Sequence, residues 1–306
     1  MNTAWGELKV ADAHVHFFSR RYFELLSQAA GPGEDAASIC AKLGWPLPPE
    51  DPVELARSWI EELDRNSVSK AVLISSTPGD ESSVAAAVAA FPERFQGYFF
   101  FNPLAELAAQ KLRAALESGL RGACLFPAMH HYMLSDSRVT ALLEQLAEVQ
   151  GTVLFVHCGA LSIGVRKKLG LPSQFDVRFS HPSEVQAVAA RFPNLPVVIP
   201  HFGAGYLRET LMAAEMCPNI LIDTSGTNSW TRFESLSMAE VFRRAVNVVG
   251  SRRLLFGTDS SFFPRGWNRQ IFEMQSSALA EAGLKDEEAA VILGGNLIRL
   301  LFPKPD

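Results

Sequence analysis

The chain has 306 residues and a formal net charge of −5, and 48% of its residues are hydrophobic. This composition excludes a disordered or fibrous protein, and the mild acidity argues against broad nucleic-acid binding. No apolar run is long enough for a membrane span, and the first residues lack the features of a signal peptide. Four scattered cysteines without a CxxC pair favour free thiols, so we expect a cytoplasmic protein.

Short apolar runs recur along the whole chain and alternate with longer amphipathic stretches. Continuous apolar character is typical of strands that are buried on both faces, as in a parallel sheet. Eight such strands are predicted: Leu8–Val15, Lys70–Ser75, Gly97–Phe101, Gly122–Phe126, Thr152–His157, Pro196–Pro200, Asn219–Asp223 and Arg253–Gly257.

Helices are predicted between these strands and at the end of the chain. Their bounds are Pro52–Asn66, Ser82–Phe91, Leu104–Ser118, Ser137–Val149, Pro182–Phe192, Gly205–Met216, Met238–Val249, Arg269–Ala282 and Lys285–Leu301. Eight strand–helix units in one chain of this length predict a (β/α)8 TIM barrel that occupies residues 1–306 as a single domain. An open doubly wound sheet is the alternative, but its glycine-rich phosphate-binding loops are missing.

One long segment does not fit the repeating pattern. Residues 17–52 contain several glycines and prolines and lie between the first strand and its helix, which makes a far longer connection than usual. We predict an irregular loop insertion. It would either cover the substrate at the C-terminal face of the barrel or form a poorly ordered surface loop.

Histidines and an aspartate stand at the ends of several predicted strands. The first strand ends in His14 and His16, which are two residues apart and therefore project from the same face. His157, His201 and Asp259 end the fifth, sixth and eighth strands. Because barrel enzymes place reactive groups at the C-terminal ends of their strands, these side chains should converge. This composition favours one divalent cation, with zinc first and manganese or iron as alternatives.

These motifs also resemble a known family. The sequences Asp12-Ala13-His14-Val15-His16, Val156-His157-Cys158-Gly159, Pro200-His201-Phe202-Gly203 and Phe256-Gly257-Thr258-Asp259 are similar, in that order, to motifs of the amidohydrolase superfamily. The resemblance is to the amidohydrolase-2 group that contains aminocarboxymuconate semialdehyde decarboxylase. The phrase Phe91-Pro92-Glu93-Arg94-Phe95 and the ending around Gly294–Leu300 extend it over nearly the whole chain.

The resemblance implies a role for each of these residues. His14, His16, His157 and Asp259 match the family's metal ligands, and Asp259 also matches a residue that takes or relays a proton. His201 matches the histidine that polarises the substrate or activates a metal-bound water, and Asp223 matches a residue that supports the site. The fourth strand has no lysine or glutamate that could bridge two metals, so a single ion is expected, and Cys124 on that strand is expected to be a core residue.

Three functions remain open from the sequence. The first is hydrolysis of a small organic acid, lactone or amide by a metal-bound water. The second is non-oxidative decarboxylation of an aromatic or unsaturated carboxylic acid. The third is an inactive barrel with a binding role. We expect a small-molecule substrate and neither nucleic acid nor membrane as partner, and family analogy suggests a homodimer.

Candidate substrate contacts are less specific than the metal ligands. Arg178 and Arg265 would bind an acidic substrate at the mouth of the site, whereas each is otherwise a solvated surface residue. His130 and Trp230 are further candidates. The alternative for His130 is an exposed loop histidine, and the alternative for Trp230 is packing in the core. An aromatic-lined pocket is predicted from residues near the loop ends, namely Phe17, Phe18, Trp45, Trp230, Phe262, Phe263 and Trp267.

Overall fold

A sheet of eight parallel strands forms the centre of the computed structural model, which describes residues 1–226, 230–261, 263 and 265–303, without the side chain of Arg232. The strands follow chain order around the sheet, so each pairs with its sequence neighbours. They are β1 Val10–His16, β2 Val68–Ile74, β3 Phe95–Phe101, β4 Gly122–Leu125, β5 Val153–Val156, β6 Val197–Ile199, β7 Ile220–Asp223 and β8 Leu254–Leu255. All eight predicted strands are therefore found, with ends that differ by a few residues.

The sheet is brought nearly to closure by contacts between β1 and the chain that follows β8. The backbone N–H of Ala13 donates to the carbonyl of Phe256 at 2.8 Å, and that of His16 donates to Ser260 at 2.7 Å. Val15 and Ser260 form a parallel bridge. These contacts make the sheet a (β/α)8 barrel, as predicted from the sequence.

A register shift in β1 decides which of its side chains reach the mouth of the barrel. The pairing of β1 with β2 shifts between Asp12 and Val15. Ala11 and Ala13 pack in the cluster that fills the barrel interior. From His14 onwards the alternation changes, and His14 and His16 line a cavity. An irregularity of this kind adds a residue to one strand and re-aims the side chains that follow, so both imidazoles enter the mouth.

Helices follow most of the strands and cover the outside of the barrel. Their bounds are Arg20–Ala30, Ala36–Leu43, Pro52–Arg65, Glu81–Ala90, Ala108–Glu117, Pro127–His130, Ser137–Ala147, Gly164–Lys168, Pro182–Arg191, Leu207–Met216, Thr231–Glu234, Met238–Val249, Arg269–Glu281, Asp286–Ala290 and Asn296–Leu301. The last predicted helix is interrupted by a π-helical turn, Val291–Gly295. At this turn a Cβ on Gly294 would lie 2.6 Å from the carbonyl oxygen of Lys9, so the helix packs very closely on the chain before β1.

The prediction of an irregular loop at residues 17–52 is wrong in one respect, because the segment forms two helices. Arg20–Ala30 is capped by Ser19, whose side chain accepts from a backbone N–H, and Ala36–Leu43 is capped by Asp35 in the same way. The glycines that suggested an irregular loop mark the ends of these helices. Gly44, for example, terminates the second helix with a φ of 68°.

The hydrophobic core lies in two layers that the barrel strands separate. Alternate residues of the strands fill the interior, where Cys124 packs with Tyr98 and Phe155, as expected for a core cysteine. The opposite residues pack against the surrounding helices. All four cysteines are buried and free. No helix in the described part of the chain is long and apolar enough to cross a bilayer.

Asp80 is a buried carboxyl group whose ionisation should make the stability pH-dependent. Ser19 donates to Oδ1 of Asp80 at 2.7 Å, and Oδ2 is buried without a hydrogen-bond partner among the described residues. Burial raises the pKa of Asp80 to about 7. The folded state therefore binds more protons than the unfolded state between about pH 4 and pH 7, and the free energy of unfolding falls as the pH rises through this window.

We predict that Asp80→Asn removes this dependence, because asparagine resembles the protonated acid and does not ionise. The stability difference between the variant and the wild type should change by up to about 1.4 kcal/mol per pH unit between pH 4 and pH 7. Urea unfolding at several pH values measures it, and other titrating groups cancel in the comparison. A difference that does not change with pH would contradict the assignment.

Candidate active site

Three predicted ligands meet at the C-terminal end of β1. One ligand atom each from His14, His16 and Asp259 lies within 4.8 Å of the others. Nε2 of His14 is 3.4 Å from Nε2 of His16, and Oδ1 of Asp259 is 3.7 Å from the first and 3.2 Å from the second. His14 is buried, and the other two side chains are partly exposed to the cavity. The two imidazoles and the carboxylate thus face a common point.

The outer hydrogen bonds of the two imidazoles fix where their protons lie. Nδ1 of His14 is 2.7 Å from Oδ2 of Asp223, and a carboxylate oxygen accepts, so Nδ1 carries the proton. Nδ1 of His16 is 2.9 Å from Oγ of Ser76, which itself donates to the carbonyl of Ile74. Nδ1 of His16 is therefore the donor there as well. Both neutral imidazoles then turn the lone pair of Nε2 towards Asp259.

This arrangement of acceptors fits a divalent cation. Two imidazole lone pairs and a carboxylate oxygen converge without a donor between them, which is unfavourable unless protons or a cation lie there. Nitrogen and oxygen ligands of this kind suit zinc, and the carboxylate on the outer nitrogen of His14 is the usual support for a ligating histidine. The cluster also attracts protons. Burial would lower the pKa of His14, but the charge and hydrogen bond of Asp223, together with the charges of Asp259 and Asp12, leave that pKa raised.

His157 and His201 complete a group of four imidazoles on the rim. The ring centroid of His201 lies 5.1 Å from that of His14 and 5.1 Å from that of His157. His157 is buried, and its Nδ1 has no hydrogen-bond partner within the described residues. Burial, followed by the nearby charge of His201, holds the pKa of His157 well below its ordinary value. The ligand atoms that lie within 4.8 Å of one another belong to His14, His16 and Asp259 and not to His157, so a role of His157 as fourth ligand stays a prediction.

The hydrogen bonds of His201 leave one nitrogen free to act on a substrate. Its Nδ1 donates to the backbone carbonyl of Ser225 at 3.0 Å, so Nε2 carries the lone pair in the neutral ring. Oγ of Ser225 lies 3.1 Å from the same nitrogen and 2.8 Å from Nδ1 of His14. Burial lowers the pKa of His201, and the charge on His14 lowers it further. His201 is therefore a neutral acceptor at neutral pH.

Asp259 stays ionised although it lies in a confined site. Burial would raise its pKa, but a proton on Nε2 of His16 would hydrogen-bond the carboxylate, and protonated neighbouring imidazoles add positive charge, so the pKa is held far below its ordinary value. The carboxylate is thus available as a ligand across the whole physiological pH range.

Asp12 joins the two ends of the sheet beneath the site. It accepts from the backbone N–H of His14 at 2.9 Å and of Thr258 at 3.1 Å, and from the indole N–H of Trp267 at 2.7 Å. Burial raises its pKa to about 6 against the effect of these donors. These bonds fix His14 of β1 beside the segment that carries Asp259.

The backbone is strained at two of the predicted site residues. His201 and Asp259 have φ values of 57° and 56°, and Phe202 and Ala204 beside His201 are also in the left-handed region. Such conformations cost on the order of 1–3 kcal/mol each for non-glycine residues and persist where the surrounding structure enforces them. Both His201 and Asp259 line the cavity, so the strained backbone positions coincide with two of the predicted site residues.

The cavity around these groups has a volume of about 330 Å³ and is largely apolar. Phenylalanines of the barrel rim form one wall, and Phe18, Tyr22 and Trp45 from the segment 17–52 form another. A small number of polar groups in an apolar cavity is the usual design of a small-molecule site. Of the other predicted aromatics, Phe17 and Trp267 belong to the core, and Phe262 lies outside the described residues.

Arg265 is the one predicted substrate contact that the structure brings to this cavity. Arg178 is exposed and paired with Asp176 at 2.6 Å, and it does not line the cavity. Trp230 is buried against Phe202 in the outer core. His130 lies on the wall of a neighbouring cavity instead.

Sequence analysis missed a second cation at the mouth. Lys168 lines the cavity, with Nζ 5.3 Å from the ring centre of Trp45. It ends the short helix Gly164–Lys168 in the loop after β5, where the sequence shows no strong periodicity. The run of three basic residues, Arg166 to Lys168, was the available signal, but only the fold brings that loop against the segment 17–52.

Comparison with known proteins decides the family. The sequence model of the family described as amidohydrolase matches residues 11–302. The chain belongs to the amidohydrolase family. Among curated proteins, Protein fluG of Emericella nidulans is 30% identical over 95 residues, which are 30% of this chain and 11% of that protein. The chain therefore spans only about a tenth of the length of this relative.

Several solved structures share the fold. An uncharacterised TIM-barrel protein from Bordetella bronchiseptica has 20% identity and a TM-score of 0.65, over 96% of this chain and 99% of that one. An amidohydrolase from Burkholderia multivorans with bound zinc has 14% identity and a TM-score of 0.63, over 96% and 99%. A probable 2-pyrone-4,6-dicarboxylic acid hydrolase from Acinetobacter baumannii, with citric acid bound, has 16% identity and a TM-score of 0.59, over 96% and 100%.

We predict that Gly257→Ala destabilises the protein, because the site leaves no room for a methyl group at this buried position. A Cβ there would lie 2.9 Å from Cβ of His14 and from Oδ1 of Asp223, and 2.8 Å from Cβ of Ser225. The expected loss is about 1–3 kcal/mol, typical of overpacking. Gly164→Ala is the control, since a Cβ there meets nothing within 4 Å. Thermal unfolding of both variants tests this, and equal stability would contradict it.

Proposed function

We propose that this protein is a hydrolase that uses one divalent metal ion, zinc first, to cleave a small organic acid, lactone or amide. The observation that carries the proposal is the convergence of Nε2 of His14, Nε2 of His16 and Oδ1 of Asp259 on one point of the cavity. His157 is the fourth proposed ligand, on the basis of its buried, neutral and unpaired imidazole. Membership of the amidohydrolase family supports the same chemistry.

A bound divalent ion supplies Lewis acidity, which lowers the pKa of a water molecule in contact with it from about 15.7 to about 7. His201 contributes a proton acceptor at Nε2, because Nδ1 is held by the carbonyl of Ser225. As a neutral ring it can take a proton from the attacking water or hydrogen-bond the carbonyl oxygen under attack. Asp223 keeps the proton of His14 on Nδ1 throughout.

The charges at the mouth favour an acidic substrate. Arg265 and Lys168 line the cavity, and Asp259 is the single acidic residue among its lining residues in the described chain. With a metal present the cavity as a whole is positive, so a carboxylate on the substrate is attracted and oriented. The similar structure from Acinetobacter baumannii is named for a dicarboxylic acid and contains citric acid, which agrees with this preference.

We predict that His14→Ala, His157→Ala and Asp259→Ala each lose the metal, because each removes one proposed ligand. His201→Ala should keep the metal and lose turnover. Elemental analysis of protein purified without chelator measures the metal bound per chain. We expect about one equivalent in the wild type and less than a tenth of that in the ligand variants. Arg178→Ala is the control, since Arg178 lies away from the cavity.

Two results would overturn this assignment. A wild-type protein that holds no transition metal and gains none on addition would remove the metal from the proposal. Loss of metal from His201→Ala would mean that His201 is a ligand and that the roles of His157 and His201 need to be exchanged.

We also predict that Asp223→Asn weakens zinc binding by about ten- to a hundredfold while leaving every proposed ligand in place. The amide can donate to Nδ1 of His14, which would move the ring proton to Nε2 and block the lone pair there. Competition with a zinc-binding dye measures the affinity. Unchanged affinity would show that the hydrogen bond to His14 at 2.7 Å does not set its tautomer.

Turnover itself is tested with a panel of lactones, amides and carboxylic acids supplied to the metal-restored protein. Release of acid from lactones or amides, abolished in His201→Ala, is the expected result. Carbon dioxide release from carboxylic acids without any hydrolysis would replace the hydrolase with a decarboxylase. Absence of both reactions, with metal bound, would favour the binding role.

A further inference from the structure

A second chamber lies beside the cavity that contains the proposed metal site. It has a volume of about 530 Å³, and five of its lining residues also line the first cavity. These shared residues form the boundary between the two spaces, and they are Tyr22, Ser76, Phe100, Met129 and Ile163. Ser76 is also the residue whose Oγ lies 2.9 Å from Nδ1 of His16, so the chamber begins next to a proposed ligand.

The lining of the second chamber is positive and contains no acidic residue within the described chain. Arg166, His130 and His131 line it together with polar groups such as Thr77 and Gln174. Burial, followed by the neighbouring charge of His131, lowers the pKa of His130 to about 4. His130 is therefore neutral, and Arg166 provides a permanent charge. An anionic group is the ligand that such a lining attracts.

Arg166 has donors to spare in this position. Its Nε and Nη2 both point to the carbonyl of Pro172, at 3.3 and 2.8 Å, and no ion pair of the described residues includes it. A guanidinium group carries five N–H donors, so most of them stay available. Arg166 lines the chamber together with Tyr22, which is one of the shared residues of the boundary.

A second unsatisfied group points to the same conclusion. Nδ1 of His130 is buried and has no hydrogen-bond partner in the described part of the chain. A buried polar atom without a partner costs free energy unless a water or a ligand satisfies it. Its ring packs edge-on against Phe100, which is one of the shared residues of the boundary. The chamber lining thus includes an arginine with unused donors and a histidine with one unpaired buried nitrogen.

We propose that the second chamber is a binding subsite for an anionic tail of the substrate, held by Arg166 and His130 while the reacting head lies at the metal site. The inference rests on the proposed hydrolase site, since that site is taken to hold the head. It assigns the substrate to a class, namely elongated molecules with an electrophilic group at one end and a carboxylate or similar anion at the other.

The experiment compares linear α,ω-dicarboxylates with monocarboxylates of equal length, from four to ten carbons. Calorimetric titration into the zinc-restored protein gives the affinity of each acid. We expect the dicarboxylate to bind more tightly than its matched monocarboxylate once the chain is long enough to reach Arg166. The gain in affinity is the ratio of the dissociation constant of the monocarboxylate to that of the dicarboxylate. It should fall by about ten- to a hundredfold in Arg166→Met and be largely kept in Arg166→Lys.

Two further variants separate the subsite from general effects. Arg178→Met removes the same charge from the same loop but lies outside both cavities, so the gain should stay unchanged. Gln174→Glu places a carboxylate on the chamber wall, and it should not disturb the core because Gln174 is exposed. This variant should reduce the gain, and it provides a test even if Arg166→Met does not fold. Any of three results would overturn the proposal. The gain could fall equally in Arg178→Met, it could stay unchanged in Gln174→Glu, or the wild type could show no gain at any length of the acid chain.

The binding measurement does not depend on turnover. If the panel of lactones and amides shows no hydrolysis but the gain that depends on Arg166 persists, the subsite stands and the proposed reaction falls. If hydrolysis is found and Arg166→Met binds every acid like the wild type, the reaction stands and the subsite falls.

Discussion

The hydrogen bond between His14 and Asp223 is the interaction on which the site depends. Asp223 ends β7 and His14 belongs to β1, so the bond of 2.7 Å passes over β8, which lies between them in the barrel. Gly257, directly after β8, leaves the space for this approach, since a Cβ there would lie within 3 Å of both residues. The barrel must therefore close tightly at this point. Asp12 enforces that closure by binding the backbone of His14 and of Thr258.

The chemistry of the rim follows from this single bond. With the proton of His14 on Nδ1, the lone pair on Nε2 faces the cavity, where it meets His16 and Asp259. Ser76 and the carbonyl of Ser225 do the same for His16 and His201. Asp223 and Ser225 lie at the end of β7, and Ser76 lies just after β2. The ends of the strands thus decide which nitrogen of His14, His16 and His201 is available.

The fold and the centre of the site could be predicted because they depend on patterns within short stretches of sequence. Continuous apolar runs marked all eight strands, and polar residues at their ends marked the rim. The shift in β1 could not be predicted, since it depends on pairing with β2. The two helices of residues 17–52 were hidden by their glycines, which read as loop residues but act as caps. Lys168 and Arg166 were missed because only tertiary contacts bring their loop to the cavities.

The proposed ligands and the proposed substrate contacts lie in different parts of the structure. The proposed ligands lie on the barrel rim, whereas Trp45, Tyr22, Lys168 and Arg166 lie in the two long connections after β1 and β5. These connections pack on each other in a hydrophobic cluster of their own, apart from the two barrel clusters. A substitution in that cluster can reshape both cavities without moving His14 or Asp223. The contacts that hold the proposed ligands in place are therefore largely separate from the proposed substrate contacts, as in other folds where loops on a rigid scaffold carry the specificity.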